Sequence, residues 1–447
     1  MQRTVSRRQL LQAGSVSAAA AGFWLTGGVT ESFAAQPGAN ERLNIAIIGA
    51  GGQGGGNAGQ QVVRDENIVA LCDVSSDRAR TVFNRYPNVP KYTDFRVMYE
   101  KQKDIQAVIV STPDHTHFHA TAMALQRGKH VYTEKPLTHD VWEARQLKIL
   151  AAKHKVATSM GNMGTAANGI RTGAEIIRSG AIGNVSEVHV WTNRPGTFWR
   201  QGHSERPKAR PEVPKHLSWD LWLGPAPERP YHGDYVPFAW RGWWDFGTGA
   251  LGDMGCHTMN LAFMALQLGP PSSIVAETDR PNNNESPPNG LMVTYQFPAR
   301  NNRPAVTLKW YEVRRPPNDL FNGEQVRTSG SLFIGNKGKL YSPDDYGSQY
   351  ILLPRADFRE YRPPQPTIAR SPGHHAEWIR ACKGGAAPMT NFVDYSSLLT
   401  EIVLLGNVAI RTGQRVTWDS EKLQAIDLPA AAQYIRRTYR KGWEWNA

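Results

Sequence analysis

The feature that most constrains this chain is a short apolar run that ends in glycines. Leu43-Asn44-Ile45-Ala46-Ile47-Ile48 leads directly into Gly49-Ala50-Gly51-Gly52-Gln53-Gly54, a G-x-G-x-x-G pattern at the end of a β-rich segment. In a strand–turn–helix unit the first glycine, Gly49, permits the tight turn. The second, Gly51, lets a pyrophosphate approach the backbone, and the third, Gly54, lets helix and strand pack closely. Taken alone the pattern is weak, because Gly55 and Gly56 extend the run and a glycine linker reads the same way. Its context strengthens it. A second apolar strand, Ile68-Val69-Ala70-Leu71-Cys72, ends in Asp73, 19 residues past Gly54, where a carboxylate accepts hydrogen bonds from adenosine ribose hydroxyls. That carboxylate favours NAD, since it repels a 2′-phosphate, while Ser75 and Arg78 stand close enough in sequence to leave NADP open.

The alternation continues. Helical signals cover 76–83 and 94–102, and Ala107-Val108-Ile109-Val110 is a further strand ending at Ser111-Thr112-Pro113. A helix over 119–127 stops at Gly128, and the strand His130-Val131-Tyr132 delivers Glu134-Lys135-Pro136. Strands alternating with helices imply right-handed crossovers and a parallel sheet whose ligand crevice lies at the strands' carboxyl ends. The spacing therefore predicts a Rossmann domain over 40–160, with Thr112, Pro113 and Glu134 at the crevice. From 161 to 447 the pattern changes: 185–191, 290–297, 305–311 and 331–334 alternate in strand fashion and read as an antiparallel sheet, with helices near 374–382 and 396–412. The fold class is α/β, a Rossmann dinucleotide-binding domain plus an α+β domain with an open, mostly antiparallel sheet.

The 447 residues are 40% hydrophobic, enough for two packed domains. Cys72, Cys256 and Cys382 are isolated and odd in number, so neither a disulfide framework nor a thiolate zinc site is expected. A net charge of +12 invites a nucleic-acid reading, but the cations are spread along the chain and no single-strand-binding fold accompanies them, so no nucleic-acid partner is expected. Residues 1–34 carry Arg7-Arg8, a mildly apolar Ala/Gly-rich run and small residues before Gln36, the marks of a twin-arginine signal peptide. The expected partner is the twin-arginine export machinery and the expected location the periplasm. Nothing later in the chain reads as long and apolar enough to cross a bilayer.

These residues resemble the glucose-fructose oxidoreductase / inositol dehydrogenase / MocA family. The resemblance rests on the glycine motif, on 112–117 (Thr-Pro-Asp-His-Thr-His), on 128–137 (Gly-Lys-His-Val-Tyr-Thr-Glu-Lys-Pro-Leu) and on 249–257 (Gly-Ala-Leu-Gly-Asp-Met-Gly-Cys-His). It covers the chain from about 43 to 420. It implies a substrate held between nicotinamide and sheet, reversible hydride transfer at a secondary alcohol of a sugar, cyclitol or glycoside, C-terminal helices that return to the first domain, and homo-oligomers formed through the open sheet. It implies Lys135, Asp253 and His257 as the catalytic constellation and His117 as a residue shaping the cofactor pocket. Chemistry agrees: the hydroxyl proton needs a base, which His257 suits, and Lys135 can stabilise charge on the substrate oxygen. If 253–264 is helical, Asp253 and His257 share a face and the carboxylate orients the imidazole. One departure is Asn260, where family members often carry aspartate. Two alternatives stay open: an NAD-dependent glycosidase using transient C3 oxidation and elimination, and a non-catalytic carbohydrate-binding protein on the same fold.

His115, His117 and His119 alternate, and on a strand would share one face, yet they follow Thr-Pro where the chain leaves the sheet and lack acidic or thiolate partners. No metal site is expected. The stretch 193–246, rich in Pro, Arg and Trp, is too long and polar to be core throughout. It reads as a loop lidding the cleft, with Trp199, Trp240, Trp243 and Trp244 available to stack on a sugar ring and Arg241 to bind hydroxyls or a carboxylate.

Overall fold

The computed structural model describes residues 41–197, 199–300 and 303–445. The segment read as a signal peptide, 1–34, lies outside the described residues. Six strands form the first sheet: β1 (Asn44–Ile48), β2 (Asn67–Cys72), β3 (Lys91–Tyr92), β4 (Ala107–Val110), β5 (His130–Thr133) and β6 (Thr158–Met160), in the order β3-β2-β1-β4-β5-β6. Every pairing is parallel, the doubly wound arrangement in which the order reverses between β1 and β4. Both faces are covered, which is why the strands read as continuous apolar runs. Ala46, Ile48, Val108 and Val110 belong to one buried layer, and Ile45, Ile47, Ile109 and Tyr132 to the other.

Nine strands form the second sheet: β7 (Val185–Thr192), β8 (Ser273–Thr278), β9 (Leu291–Phe297), β10 (Val306–Glu312), β11 (Gly330–Gly335), β12 (Lys339–Ser342), β13 (Ile351–Leu353), β14 (Val416–Asp419) and β15 (Gln424–Ile426), ordered β13-β12-β11-β7-β10-β9-β8-β14-β15. Only β7 and β10 run parallel; the other pairings are antiparallel. Helices Asn168–Arg178, Gly249–Thr258, Asn260–Leu266 and Ser397–Thr412 contribute Ile170, Leu251, Leu261 and Val403 to one large core with Val188 and Leu308 of this sheet.

The C-terminal helices do return to the first sheet. Trp378 and Ile379 of the helix His374–Cys382 lie in the core layer of β1 and β4. Arg145 of the helix Val141–His154 grips Glu401 with two bonds of 2.7 Å.

Three local expectations are corrected. The helix expected from 119 begins at Asp114, because Pro113 in an extended conformation serves as its N-cap and an acid in the first turn suits the positive helix end. The helix expected over 253–264 begins at Gly249, whose φ is +66°, and breaks at Met259 into two pieces. One later element does meet the length and composition of a bilayer span: Phe392–Thr412, 21 residues with mean hydropathy 1.3. Within its most apolar 18-residue stretch 83% is buried inside the protein, so its apolar length serves the core.

Candidate active site

A cavity of about 1120 Å³ runs from the glycine loop to the helix Gly249–Thr258, which lines it with Asp253, Met254 and His257. Its glycine-loop half is a matter of backbone. Gly49, at φ +76°, passes so close to β4 that a Cβ there would stand 2.7 Å from the Ser111 carbonyl oxygen. A Cβ on Gly51 would stand 2.5 Å from Arg78 Cγ, and one on Gly54 would collide with the Gly49 carbonyl. Gly49, Gly51, Gly52 and Gln53 line the cavity; Gly54 does not, and acts by letting the following helix sit on the loop. Asp73 faces the loop from the end of β2, accepting the Gly51 and Ser75 amides at 2.8 Å each. Burial, opposed by those amides, raises its pKa.

Thr112 and Pro113 line the same wall, and the buried Thr112 Oγ1 has no hydrogen-bond partner among the described residues. An orphaned hydroxyl beside a Cβ-intolerant glycine cradle fits a dinucleotide. Glu134 accepts Asn57 Nδ2 at 2.8 Å and Gln53 Nε2 at 3.3 Å. Its buried carboxyl is pushed up by desolvation against those bonds. His117 is not a lining residue: its ring bridges the Thr112 and Pro136 carbonyls, each at 2.8 Å, and so ties the two strand-end loops together from beneath.

The far half of the cavity is a matter of ion pairs between distant segments. Lys135 Nζ sits 2.8 Å from Asp253 Oδ1 and also donates to the Asp253 carbonyl at 3.3 Å. Arg241 Nε reaches the same Oδ1 at 3.0 Å. Burial raises the Asp253 carboxyl, but Lys135 and Arg241 together outweigh it and hold it at about 2. The expected partnership of Asp253 with His257 is therefore replaced: the two share a helix and a cavity, but the carboxylate serves the two cations. His257 is oriented by Asn162, whose Oδ1 lies 2.7 Å from Nδ1 while its Nδ2 donates to the Cys256 carbonyl at 2.6 Å. With Asn162 fixed that way round, Nδ1 carries the proton and Nε2 is the acceptor. Burial, reinforced by the Lys135 charge, lowers His257 to about 3, so the imidazole is neutral.

A second carboxyl stands nearby with the opposite tendency. Asp114 accepts Thr248 Oγ1 at 2.7 Å. Burial and then the Asp253 charge raise it to about 7, against Arg241 and Lys135. Two carboxyls on one cavity, one held ionised and one poised to keep its proton, give the site both an anion and a proton donor.

The stretch 193–246 roofs the cavity. Its backbone joins the loop after Asp73 through Ser76 N to the His216 carbonyl at 3.0 Å and Ser218 N to the Val74 carbonyl at 2.9 Å. Trp199 and Trp240 line the cavity, the latter under the Arg241 guanidinium at 4.1 Å. Trp243 and Trp244 do not. Trp243 stacks on His203 at 4.3 Å within a satellite core that includes Trp222, Tyr235 and Phe246, and Trp244 packs beside Arg411. Trp243 is buried because a roof this long needs a core of its own, and Trp244 because it joins the large core that holds Leu251 and Val403. Arg241 faces the cavity but is engaged by Asp253.

Sequence reasoning missed Asn162, Arg194 and Tyr346 as site residues. Arg194 pairs with Asp345 at 2.7 Å, and Tyr346 meets the His257 ring edge-on at 5.0 Å; both line the cavity. The signal for Asn162 was its place in Gly161-Asn162-Met163-Gly164 just past the last strand of the first sheet; Tyr346 has none. The departure at Asn260 lies off the cavity, bonded to Thr165 at 2.9 Å and Tyr395 at 2.5 Å. His115, His117 and His119 lie on a helix and each bonds backbone carbonyls, His115 those of Trp222 and Phe246 and His119 that of Trp443.

Residues 43–162 match an oxidoreductase family's NAD-binding Rossmann fold, and residues 163–295 match that family's C-terminal alpha/beta domain. Among curated proteins, the inositol 2-dehydrogenase of Serratia proteamaculans is 30% identical over 156 residues, 34% of this chain and 46% of its own. The 2,7-anhydro-N-acetylneuraminate hydratase of Mediterraneibacter gnavus is 24% identical over 164 residues, 36% of this chain and 43% of its own. The chain thus spans less than half the length of these relatives. Among solved structures, the Bordetella pertussis WlbA dehydrogenase in complex with NADH and UDP-GlcNAcA superposes with a TM-score of 0.60 at 15% identity, over 85% of this chain and 99% of that one. The aldose-aldose oxidoreductase of Caulobacter crescentus gives 0.53 at 17% identity, over 85% and 100%. These two likenesses are of fold.

Proposed function

The chain belongs to the Gfo/Idh/MocA oxidoreductase family, and we propose that it catalyses reversible hydride transfer at a secondary alcohol of a sugar, cyclitol or glycoside, using NAD held in the cavity. The observation that carries the reading is the Lys135–Asp253 pair, 2.8 Å long, standing with His257 on the wall of the cavity whose other end is the glycine loop. Gly49, Gly51, Gly52 and Gln53 would hold the pyrophosphate, Asp73 the adenosine ribose, and Thr112, Pro113 and Glu134 the region next to the reacting carbon.

A bound nicotinamide supplies the hydride acceptor. The residues of this chain handle the proton and the developing charge. His257 Nε2, neutral and unprotonated, accepts the hydroxyl proton as the carbonyl forms. Lys135 donates a hydrogen bond to the oxygen whose charge is growing, and Asp253 holds the ammonium in place while Arg241 steadies Asp253. In the reverse direction the imidazolium returns the proton. Trp199 and Trp240 offer ring faces to a pyranose, and the roof keeps water off the reacting carbon.

The dinucleotide stays bound through turnover in this reading. Support comes from the roof tied by backbone bonds to the loop after Asp73, and from Trp443 of the C-terminal segment, which lines the same cavity. Arg440 clips that segment to the Asp220 carboxylate and the Gly224 carbonyl. Arg7-Arg8 and the run after them support export to the periplasm through the twin-arginine machinery. Free NAD is scarce there, so a cofactor carried along and recycled by a second substrate suits the location. Native mass spectrometry of the purified protein tests the whole reading. One dinucleotide per chain, reduced on adding a sugar from a panel of mono- and disaccharides, supports it. Protein that releases no dinucleotide on denaturation and binds none when it is added refutes it.

A further inference from the structure

Far from the glycine loop, a second cavity of about 380 Å³ lies where the helix Asn168–Arg178, the helix Asn260–Leu266 and the connection between β9 and β10 meet. Three guanidinium-bearing residues line it from two segments: Arg178 at the end of the first helix, and Arg300 and Arg303 from the β9–β10 connection. No acidic residue lines it, and none of the three arginines forms an ion pair among the described residues. What they touch are carbonyls near the end of the second helix. Arg178 Nη2 donates to Met264 at 2.7 Å, Arg300 Nη2 to Gln267 at 3.2 Å and Arg303 Nη1 to Ala265 at 3.4 Å.

Those contacts account for one donor of each guanidinium out of five. The partial negative charge of a helix end, about half an elementary charge, does not balance three cations. Arg303 feels the imbalance: burial, and then the charges of Arg178 and Arg300, lower its pKa. Burial lowers those of Arg178 and Arg300 as well. Three like charges around one small cavity, with donors to spare, make an anion site.

We propose that this cavity binds a small organic phosphate. Three guanidinium forks on two segments suit a tetrahedral dianion with three terminal oxygens; a carboxylate would occupy a single fork. The cavity is larger than a phosphate ion needs, and Leu268, Pro270, Phe297 and Pro298 give it an apolar wall on which a carbon body rests. The phosphoryl group takes the place of the missing counter-charge for the two segments that the arginines join.

Isothermal titration of the full chain, saturated with NAD so that the glycine loop is not the receptor, tests this at constant ionic strength with chloride as the balancing anion. The probes are glycerol 3-phosphate and inorganic phosphate. The expected result is binding of the ester at one site per chain, at least about 10-fold tighter than inorganic phosphate. Arg300→Gln/Arg303→Gln weakens it about 10-fold or more, the size of one charge-assisted hydrogen bond. Glutamine keeps an amide donor for the Gln267 and Ala265 carbonyls, so the variant should melt as the parent does. Arg303→Lys, which retains the charge without the fork, falls between the two. The proposal is overturned if the ester binds no better than inorganic phosphate, if neither binds above chloride, or if the folded double variant binds as the parent does.

Discussion

The two ends of the main cavity are built on different physical terms. At the glycine end the determinants are backbone conformation and the absence of side chains: Gly49 in the left-handed region, Gly51 against Arg78, Gly54 against the Gly49 carbonyl. All of it lies within one strand–turn–helix unit. At the other end the determinants are charges brought together across the fold, with Lys135 and Asp253 separated by 118 residues and His257 held by Asn162 across 95. On the proposed function the first end is a local device that binds and the second a tertiary device that reacts, and the second exists only once both sheets are in place.

That contrast predicts separable failures. The largest effect belongs to Gly54→Ala. The added carbon has no room beside the Gly49 carbonyl, and backbone does not yield as a flexible side chain would. Cofactor content after purification should fall to the detection limit, with activity lost in consequence, as measured by dinucleotide release on denaturation. Next comes Lys135→Ala, which should lower kcat on the order of 10²–10³-fold, the usual consequence of removing one donor to a developing oxyanion, while leaving cofactor content near one per chain. Loss of cofactor in the lysine variant, or turnover in the glycine variant, would mean that the two ends are not separate devices. Synthetic nitrophenyl glycosides refine the second measurement. Nitrophenol released without net NADH, and lost in the lysine variant, would place the same machinery in a redox-assisted glycosidase.

The same contrast explains what could be read from the residues alone. The Rossmann half was legible because each of its signals is short-range: apolar strands, glycines where the backbone must turn, Asp73 at a strand end. Lys135, Asp253 and His257 were legible as motif residues, and the cavity gathers them. Their partnerships were not, because i, i+4 spacing says which side chains share a helix face but not which cation arrives from elsewhere. Asp253 therefore serves Lys135 and Arg241, and His257 turns to Asn162. Nor does composition say which tryptophans of 193–246 face the cavity. Trp199 and Trp240 do, whereas Trp243 fills the roof's own interior and Trp244 joins the main core, a distinction made by the tertiary packing of that segment. Tyr346 reaches His257 from the connection between β12 and β13, with no local pattern to announce it.

A smaller effect tests the cofactor end for its choice of dinucleotide. Asp73→Asn keeps the shape but removes the charge that opposes a 2′-phosphate; with one acceptor oxygen where Asp73 uses two, it keeps only one of the bonds from Gly51 and Ser75, a loss that weakens both dinucleotides alike, and Arg78 already lines the cavity beside it. The ratio of NAD to NADP affinity should fall about 10-fold, corresponding to about 1.4 kcal/mol, measured by titration of cofactor-stripped protein. An unchanged ratio would mean that the selection is made elsewhere along the loop.

The smallest effect concerns the reacting end and its pair of carboxyls. Asp114 is raised to about 7 by burial and by the neighbouring Asp253 charge, while in the unfolded chain it titrates near the ordinary aspartate value of about 3.9. Between those two pH values the folded state holds a proton that the unfolded state has released. Stability from this group is therefore complete below about pH 4 and declines as pH rises through 7, after which both states are ionised and the loss is constant. Asp253, held at about 2 by its two cations, works the other way, contributing above about pH 4 and losing its contribution as pH falls toward 2. Asp114→Asn keeps the shape and can still accept from Thr248 Oγ1, but has no proton to lose. Its melting temperature should therefore exceed the parent's by a few degrees at pH 8, with the difference shrinking as pH is lowered toward 5. Parallel melting curves across that range would mean that Asp114 is already ionised in the folded protein, and that the cavity holds two anions between Lys135 and Arg241 instead of one anion and one acid.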